Sequence, residues 1–254
     1  MAHIDLTNAW RSARLVYRAI EDDDEDKTHL HALNEAEPTG MAMVSTKLLA
    51  PGNKSSTDNF LTFAKKAYLT VFVCLAPSDE DCTEKTTKKR PAPIGYLVLW
   101  PRRSDRADHH RSAEMGLCFA PEERGKGYGS EAINWALDWG FRKGGLHRVG
   151  LAAFGYNPGA VRLYKRLGFV EEGREREALW FERRWWDVVS MGMLEGEWEV
   201  LRRWKGEGSE GGVSEIEMKS RSDGGTGRRQ CPTGSSGSAP GLIADCGVEN
   251  GGVS

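Results

Sequence analysis

Apolar positions along the chain change their period several times, and each change marks an element. Leu15 to Ile20 reads as a short first strand, and a polar helical stretch runs roughly from Asp22 to Ala36. A second helix is expected near Thr57 to Ala67. Leu69 to Ala76 and Ile94 to Trp100 are apolar, rich in β-formers and bounded by Pro, Gly and charged residues, as two strands would be. Arg111 to Ala120 alternates, placing Met115, Leu117 and Phe119 on one face and Glu114, Gly116 and Cys118 on the other. From Gly127 to Lys143 the period becomes helical: Glu131, Asn134, Asp138 and Arg142 form a polar side, and Ala132, Ile133, Ala136 and Leu137 a buried one. Gly144-Gly145 stops that helix. His147 to Phe154 is a fifth strand. A short helix follows from Pro158 to Leu167, with Asn157 as N-cap, Pro158 in the first turn and Gly168 past the end. Val170 to Phe181 and Trp185 to Leu194 close the domain as a hairpin, although Glu182-Arg183-Arg184 lacks the usual turn residues. The order β-α-α-β-β-β-α-β-α-β-β is that of a mixed α/β single domain, without an internal repeat.

Composition shifts near Lys205. All nine Trp, six Tyr and eight Phe lie at or before Trp204, whereas 206–254 holds 13 of the 30 glycines and no aromatic residue. Such a segment buries too little apolar surface to offset its ordering entropy. Residues 1–205 are therefore expected to fold as one domain and 206–254 to form a disordered Gly/Ser-rich tail. A net charge of −2 gives no basic excess for general nucleic-acid binding. The longest apolar runs, such as Tyr68 to Ala76, are too short to span a bilayer, so no membrane role is expected. Met1 to Asp5 shows no basic segment leading into an apolar run, which makes the cytoplasm the expected location, with the nucleus as alternative. Five cysteines (Cys74, Cys82, Cys118, Cys231, Cys246) form no paired framework and are read as reduced thiols. His29 and His31 would not share a helix face, His109-His110 lies in a charged loop, and no metal site is legible.

The informative run is Arg124-Gly125-Lys126-Gly127-Tyr128-Gly129, between a strand and a helix. Alternate glycines let the backbone approach a ligand closely, and a helix N-terminus aims free N–H groups at it. With the charges of Arg124 and Lys126, the run reads as a pyrophosphate cradle; the plain alternative is a glycine-rich turn. A Walker A loop would need Ser or Thr after Gly125-Lys126, and the dinucleotide fingerprint needs G-x-G-x-x-G. Neither fits.

The same run resembles the GNAT superfamily signature Q/R-x-x-G-x-G/A, placed after a fourth strand. The likeness continues through Ser130-Glu131-Ala132, Asn157-Pro158, Leu163-Tyr164 and Leu167-Gly168-Phe169. Ala113-Glu114-Met115-Gly116 and Trp186-Asp187-Val188-Val189 are most similar to the branch of ribosomal-protein N-terminal and spermidine acetyltransferases. Ser12-Ala13-Arg14-Leu15 is typical only in placement and is assigned no special chemistry. The resemblance covers about residues 12–200. It implies a GNAT fold: a twisted, mostly antiparallel sheet of the α+β type, split between strands four and five and flanked by helices. It implies acetyl-CoA as co-substrate in that split, with Leu117, Cys118 and Phe119 along the pantetheine arm and 124–129 on the pyrophosphate. Asn157 would contact the cofactor or shape its pocket, besides capping its helix.

Acyl transfer to an amine needs a proton acceptor, donors for an oxyanion and a proton for the leaving thiolate. Tyr164 is the candidate acid because family members that use one place a tyrosine there; its alternative is packing in the stripe Ala160, Tyr164, Leu167. Glu114 is the candidate base by position, against a solvated strand carboxylate. Cys118 has no legible His–Asp company, so direct transfer in a ternary complex is expected. The expected acceptor is a primary amine, either a protein N-terminus or lysine or a small polyamine-like molecule, and the chain is expected to be a monomer or homodimer. A GNAT-fold module that binds acyl-CoA without turnover is the alternative function. Glu21 to Asp26 reads as a helix start or a site for basic acceptors. Trp180, Phe181, Trp185 and Trp186 read as hairpin packing or an acceptor pocket. Two connections, 41–57 and 77–93, look irregular and long.

Overall fold

The computed structural model describes residues 8–35, 38–51, 53–77, 90–102 and 108–207. Seven strands form one sheet: β1 (Leu15–Arg18), β2 (Leu69–Leu75), β3 (Pro93–Pro101), β4 (Ser112–Phe119), β5 (Arg148–Phe154), β6 (Val170–Phe181) and β7 (Arg184–Leu194). Their spatial order is β1-β2-β3-β4-β5-β7-β6, antiparallel at every contact except β4 with β5. The mixed, mostly antiparallel sheet that the family resemblance implies is the one found.

Among the described residues, six helices flank it: α1 (Asp24–Glu35), α2 (Pro38–Val44), α3 (Lys54–Ala64), α4 (Tyr128–Arg142), α5 (Pro158–Leu167) and α6 (Glu195–Glu207). On one face of the sheet, Val73, Leu97, Met115, Val149, Leu151, Val189 and Met191 pack with Ile133 and Leu137 of α4 and Tyr164 of α5. On the other, Phe72, Cys74, Tyr96, Val98 and Cys118 pack with Leu30 of α1 and Leu61 of α3. Alternation along β4 thus divides as its side-chain pattern requires, with Met115 in one core and Cys118 in the other. Both faces of the central strands are buried, which is why these strands read as nearly continuous apolar runs.

Two helices escaped the sequence reading. Seven-residue α2 contains Gly40 and is too short to establish a period. In α6, Trp198 is the anchor: it is 7% exposed, lies 5.4 Å from the Phe141 ring, and donates from Nε1 to Asp138 at 3.1 Å. The start of α3 also lies earlier than expected, because Asn53 and Ser56 form a reciprocal capping box. The β6–β7 hairpin turns through Glu182 and Arg183 at φ +50° and +59°. That is the two-residue turn matching strand twist, here made by two side chains that disfavour it. The proposed tail falls outside the described residues from 208 onward, as do Cys82, Cys231, Cys246 and most of the long connection at 77–93. Among the described residues, no helix is long and apolar enough to cross a membrane.

Candidate active site

The sheet is joined at its centre by very little. β4 and β5 pair only at Ser112↔Arg148, Ala113↔Val149 and Glu114↔Gly150, after which each strand runs on alone, to Phe119 and Phe154. On β4 the Ala120 N–H donates to the Ile94 carbonyl and the Ser112 carbonyl accepts from the Arg102 N–H. Antiparallel alternation then turns the backbone groups of Cys118 and Gly116 toward β3, and those of Met115, Leu117 and Phe119 toward the split. The same argument on β5, from the Gly155 N–H to the Asp187 carbonyl, turns Ala152 and Phe154 toward it from the other side. Of the three residues expected along the coenzyme arm, Leu117 and Phe119 therefore face the gap. Cys118 gives its backbone to β3 and buries its thiol against the Leu33 carbonyl of α1. The outer carbonyls at the mouth are held: Phe119 O accepts from Arg124 Nε at 3.0 Å, and Phe154 O from the Asn157 N–H at 2.7 Å.

Above that mouth stands the glycine run. Gly125 and Gly127 have φ +76° and +87°, a left-handed backbone that any Cβ would strain. At Gly129 a Cβ would meet only Leu163 and Phe119, at 3.8 and 3.9 Å, so no protein neighbour requires glycine there. The first backbone bond of α4 runs from the Glu131 N–H to the Gly127 carbonyl at 3.2 Å. Among the described residues, none of the N–H groups from Gly125 to Ser130 donates to a protein acceptor. Successive free amides at the positive end of a helix are what an anion such as a diphosphate requires. The two cations of the run are partly engaged. Arg124 braces the end of β4 through Phe119, and Lys126 Nζ lies 3.0 Å from Glu123.

A third cation, passed over in the sequence, stands against the loop. Arg14 donates from Nη1 to the Lys126 carbonyl at 3.1 Å, covers the Tyr128 ring at 4.7 Å, and pairs through Nε with Glu131 at 2.8 Å. Its Nη2 lies 3.3 Å from where a Cβ on Gly127 would project. Arg14 and Glu131 are far apart in sequence, so no local pattern announces the pair.

Tyr164 projects from α5 into the core beside the split, 8% exposed, with its ring 6.0 Å from Phe169. Burial pushes its pKa up to about 12, so the phenol is neutral at pH 7 and holds a proton it could give. Among the described residues the hydroxyl has no hydrogen-bond partner, and it is not one of the polar atoms sealed from solvent. Its packing and its availability as an acid coexist. Asn157 caps α5, its Oδ1 accepting from the Ala160 N–H at 3.1 Å.

Glu114 occupies the last paired rung, at the apex of the split, on the face opposite Met115. Its side chain is 18% exposed, 3.2 Å from Arg102 Nε and 3.9 Å from Arg148 Nη1. Burial raises its pKa above the usual carboxylate value; Arg102 and then Arg148 oppose that, and burial prevails. A desolvated carboxylate at this point can take a proton.

The acidic run is engaged internally. Asp26 is fully buried against Arg18, Asp22 pairs with Lys27 at 2.7 Å and Lys65 at 2.9 Å, and Asp23 and Glu25 share Arg90. The four aromatic residues divide. Trp180 and Trp185 form an exposed T-shaped pair on the hairpin, 5.2 Å between centroids. Phe181 and Trp186 instead surround Tyr156, at 4.6 and 5.9 Å. Tyr156, which the sequence reading did not single out, donates its hydroxyl to Ala42 O of α2 at 2.6 Å and so fixes α2 beside the end of β5.

A sheet parted at its one parallel join, with free helix-end amides over the opening, suits a ligand that combines a strand-like arm with an anionic group. Residues 54–169 match the acetyltransferase (GNAT) family model. Over 89 residues the chain is 43% identical to the spermidine N(1)-acetyltransferase of Vibrio cholerae serotype O1, a match covering 35% of this chain and 51% of that protein. Over 120 residues it is 30% identical to the uncharacterized N-acetyltransferase YnaD of Bacillus subtilis, covering 47% and 62%. The chain thus spans about half the length of the curated relatives it matches. The structure of Vibrio cholerae spermidine N-acetyltransferase in complex with CoA and spermine aligns at a TM-score of 0.58 and 27% identity, covering 73% of this chain and 98% of that one. Residues 54–169 thus carry a match to the acetyltransferase (GNAT) family, within a fold shared with this N-acetyltransferase structure.

Proposed function

We propose that the protein transfers the acetyl group of acetyl-CoA to a primary amine of a small polyamine-like acceptor, in the cytoplasm, with residues 206–254 outside the catalytic domain. The observation that carries this reading is the unbroken series of unclaimed amides from Gly125 to Ser130 over the β4–β5 split. In it, these amides with Lys126 and Arg14 hold the diphosphate. Leu117 and Phe119, facing Ala152 across the split, bind the pantetheine arm as a strand would, and Asn157 holds the mouth in shape. Fixing both substrates along this line accounts for much of the acceleration.

An aliphatic amine is protonated at pH 7 and attacks only as the free base. Glu114 takes the amine proton. The nitrogen forms its bond to the thioester carbonyl carbon, the C–S bond breaks, Tyr164 gives its proton to the departing CoA thiolate, and the second proton shed by the acylated nitrogen passes back through solvent to restore the Tyr164 phenol. No acyl-enzyme is required. A polyamine acceptor is supported by the spermidine acetyltransferases among the relatives.

Two measurements test the proposal. Calorimetry should show acetyl-CoA binding that Gly127→Glu abolishes, since the variant puts strain and negative charge into the cradle; unchanged affinity refutes the site. Thiol release should follow addition of spermidine more strongly than addition of an N-terminal peptide. Binding with no release toward any amine points instead to a non-catalytic acyl-CoA-binding module.

A further inference from the structure

Beyond Glu114, a line of alternating charge crosses the sheet on the face away from α4. It runs from Arg102 after β3, through Glu114 on β4 and Arg148 on β5, to Glu172 on β6. β7 lies between the last two and offers no side chain there, because Gly192 stands directly opposite Gly150. The space these glycines leave is filled by the charges. A Cβ on Gly150 would lie 2.5 Å from Arg148 Nη1 and 2.6 Å from Glu114 Oε1, and one on Gly192 would strike the Glu172 carboxylate and Arg148 Nη2. The pair of glycines is thus the floor of a groove built for this chain of ions.

Within it the guanidinium of Arg148 is shared unequally. Its Nη2 is hydrogen-bonded to Glu172 Oε2. Among the described residues its Nη1 has no hydrogen-bond partner and is sealed from solvent; it stands 3.9 Å from Glu114 Oε1, within ion-pair range and beyond hydrogen-bond distance. Glu172 therefore draws Arg148 away from Glu114. Among the described residues, the other elements around Glu114 add no further ionisable group: α2, which packs on β4, has none in its sequence, and α1 meets the opposite end of β4 near Cys118.

We propose that Arg148 and Glu172 are positioning residues that set how readily Glu114 accepts a proton, Glu172 by holding the Arg148 guanidinium off the Glu114 carboxylate. This rests on the reading of Glu114 as the proton acceptor. Without Glu172, Arg148 closes on Glu114, stabilises its ionised form and makes it a weaker base. Without the charge of Arg148, Glu114 keeps its burial and loses one of its two cations, and its protonated form gains.

The test follows the Glu114 carboxyl directly by 13C NMR in glutamate-labelled protein, with Glu114→Gln assigning the signal, and in parallel the acid limb of kcat/KM with spermidine. Glu172→Gln should move both midpoints down by about one pH unit, and Arg148→Met should move both up by a similar amount, opposite charge within a few ångström being worth that much or more. Arg148→Lys, which keeps the charge, should restore the midpoint and serves where Arg148→Met does not fold. Shifts in the same direction for Glu172→Gln and Arg148→Met, or no shift in Glu172→Gln, overturn the proposal. If the carboxyl midpoints move as stated while Glu114→Gln retains full turnover, the coupling stands and the assignment of Glu114 as base is what fails.

Discussion

The Arg14 guanidinium and the Glu131 carboxylate lie 2.8 Å apart and tie the entry of β1 to the first turn of α4. The same carboxylate accepts from the Arg14 backbone N–H and the Ser12 hydroxyl, each at 2.7 Å. Glu131 near the helix start is favoured by the dipole, and it holds a cation against the glycine loop. The fold thus supplies from a distant strand a charge that the loop's own sequence does not hold free.

Replacing that arginine separates the two roles. Arg14→Ala should weaken acetyl-CoA binding about tenfold, roughly 1.4 kcal/mol, by calorimetry. Its effect on stability should stay within about 1 kcal/mol, because the side chain is 50% exposed and the ion pair is screened. Raising salt should narrow the affinity difference between the two proteins. An unchanged dissociation constant would remove Arg14 from the coenzyme site.

Tyr164→Phe should lower kcat by about 10²-fold while leaving the KM for acetyl-CoA nearly unchanged. The melting temperature should hardly move, since the hydroxyl has no hydrogen-bond partner among the described residues to lose. A phenol raised to about 12 stays protonated through pH 10, so Tyr164 should give no basic limb in that range. A large loss of stability with unaltered kcat would leave the ring as core packing alone.

Asp26 and Arg18 face each other through paired contacts at 2.8 Å, with Asp26 fully buried. Asp26→Asn leaves the arginine without its counter-charge and should cost about 3 kcal/mol in urea titration. The folded carboxyl titrates below its ordinary value, the arginine and the Glu21 N–H opposing the effect of burial. Its contribution is therefore complete above the unfolded value of about 3.9 and drains as pH falls through the lower folded one. Wild type should lose stability across that acidic window more steeply than Asp26→Asn.

The hairpin turn offers a gain. Glu182 and Arg183 occupy left-handed backbone that Asn-Gly adopts readily. Glu182→Asn with Arg183→Gly should stabilise the protein by about 1 kcal/mol, raising its melting temperature by roughly 2–4 °C. A decrease would show that the two side chains hold the turn through contacts of their own.

Much of this architecture is readable from local order. Apolar runs give the strands, the period of α4 gives its buried side, and Asn157, Pro158 and Gly168 bracket α5 at the positions the structure shows. The glycine run is legible because its spacing is itself the constraint. What escaped depends on partners remote in the chain. Arg14 gains its meaning from Glu131, Arg148 from Glu114 and Glu172, and Tyr156 from Ala42, Phe181 and Trp186. Helix α6 escaped for a related reason: its placement depends on Trp198 reaching Asp138 and Phe141, not on a stripe of its own.

A ladder that halts after three rungs leaves two raw edges inside the molecule instead of on its rim. Bare edges of this kind ordinarily recruit foreign strands and seed aggregation. Here they face each other across a wedge whose outermost oxygens, on Phe119 and Phe154, are already taken. A slender guest can zip both margins at once, while a second polypeptide finds no free end from which to start.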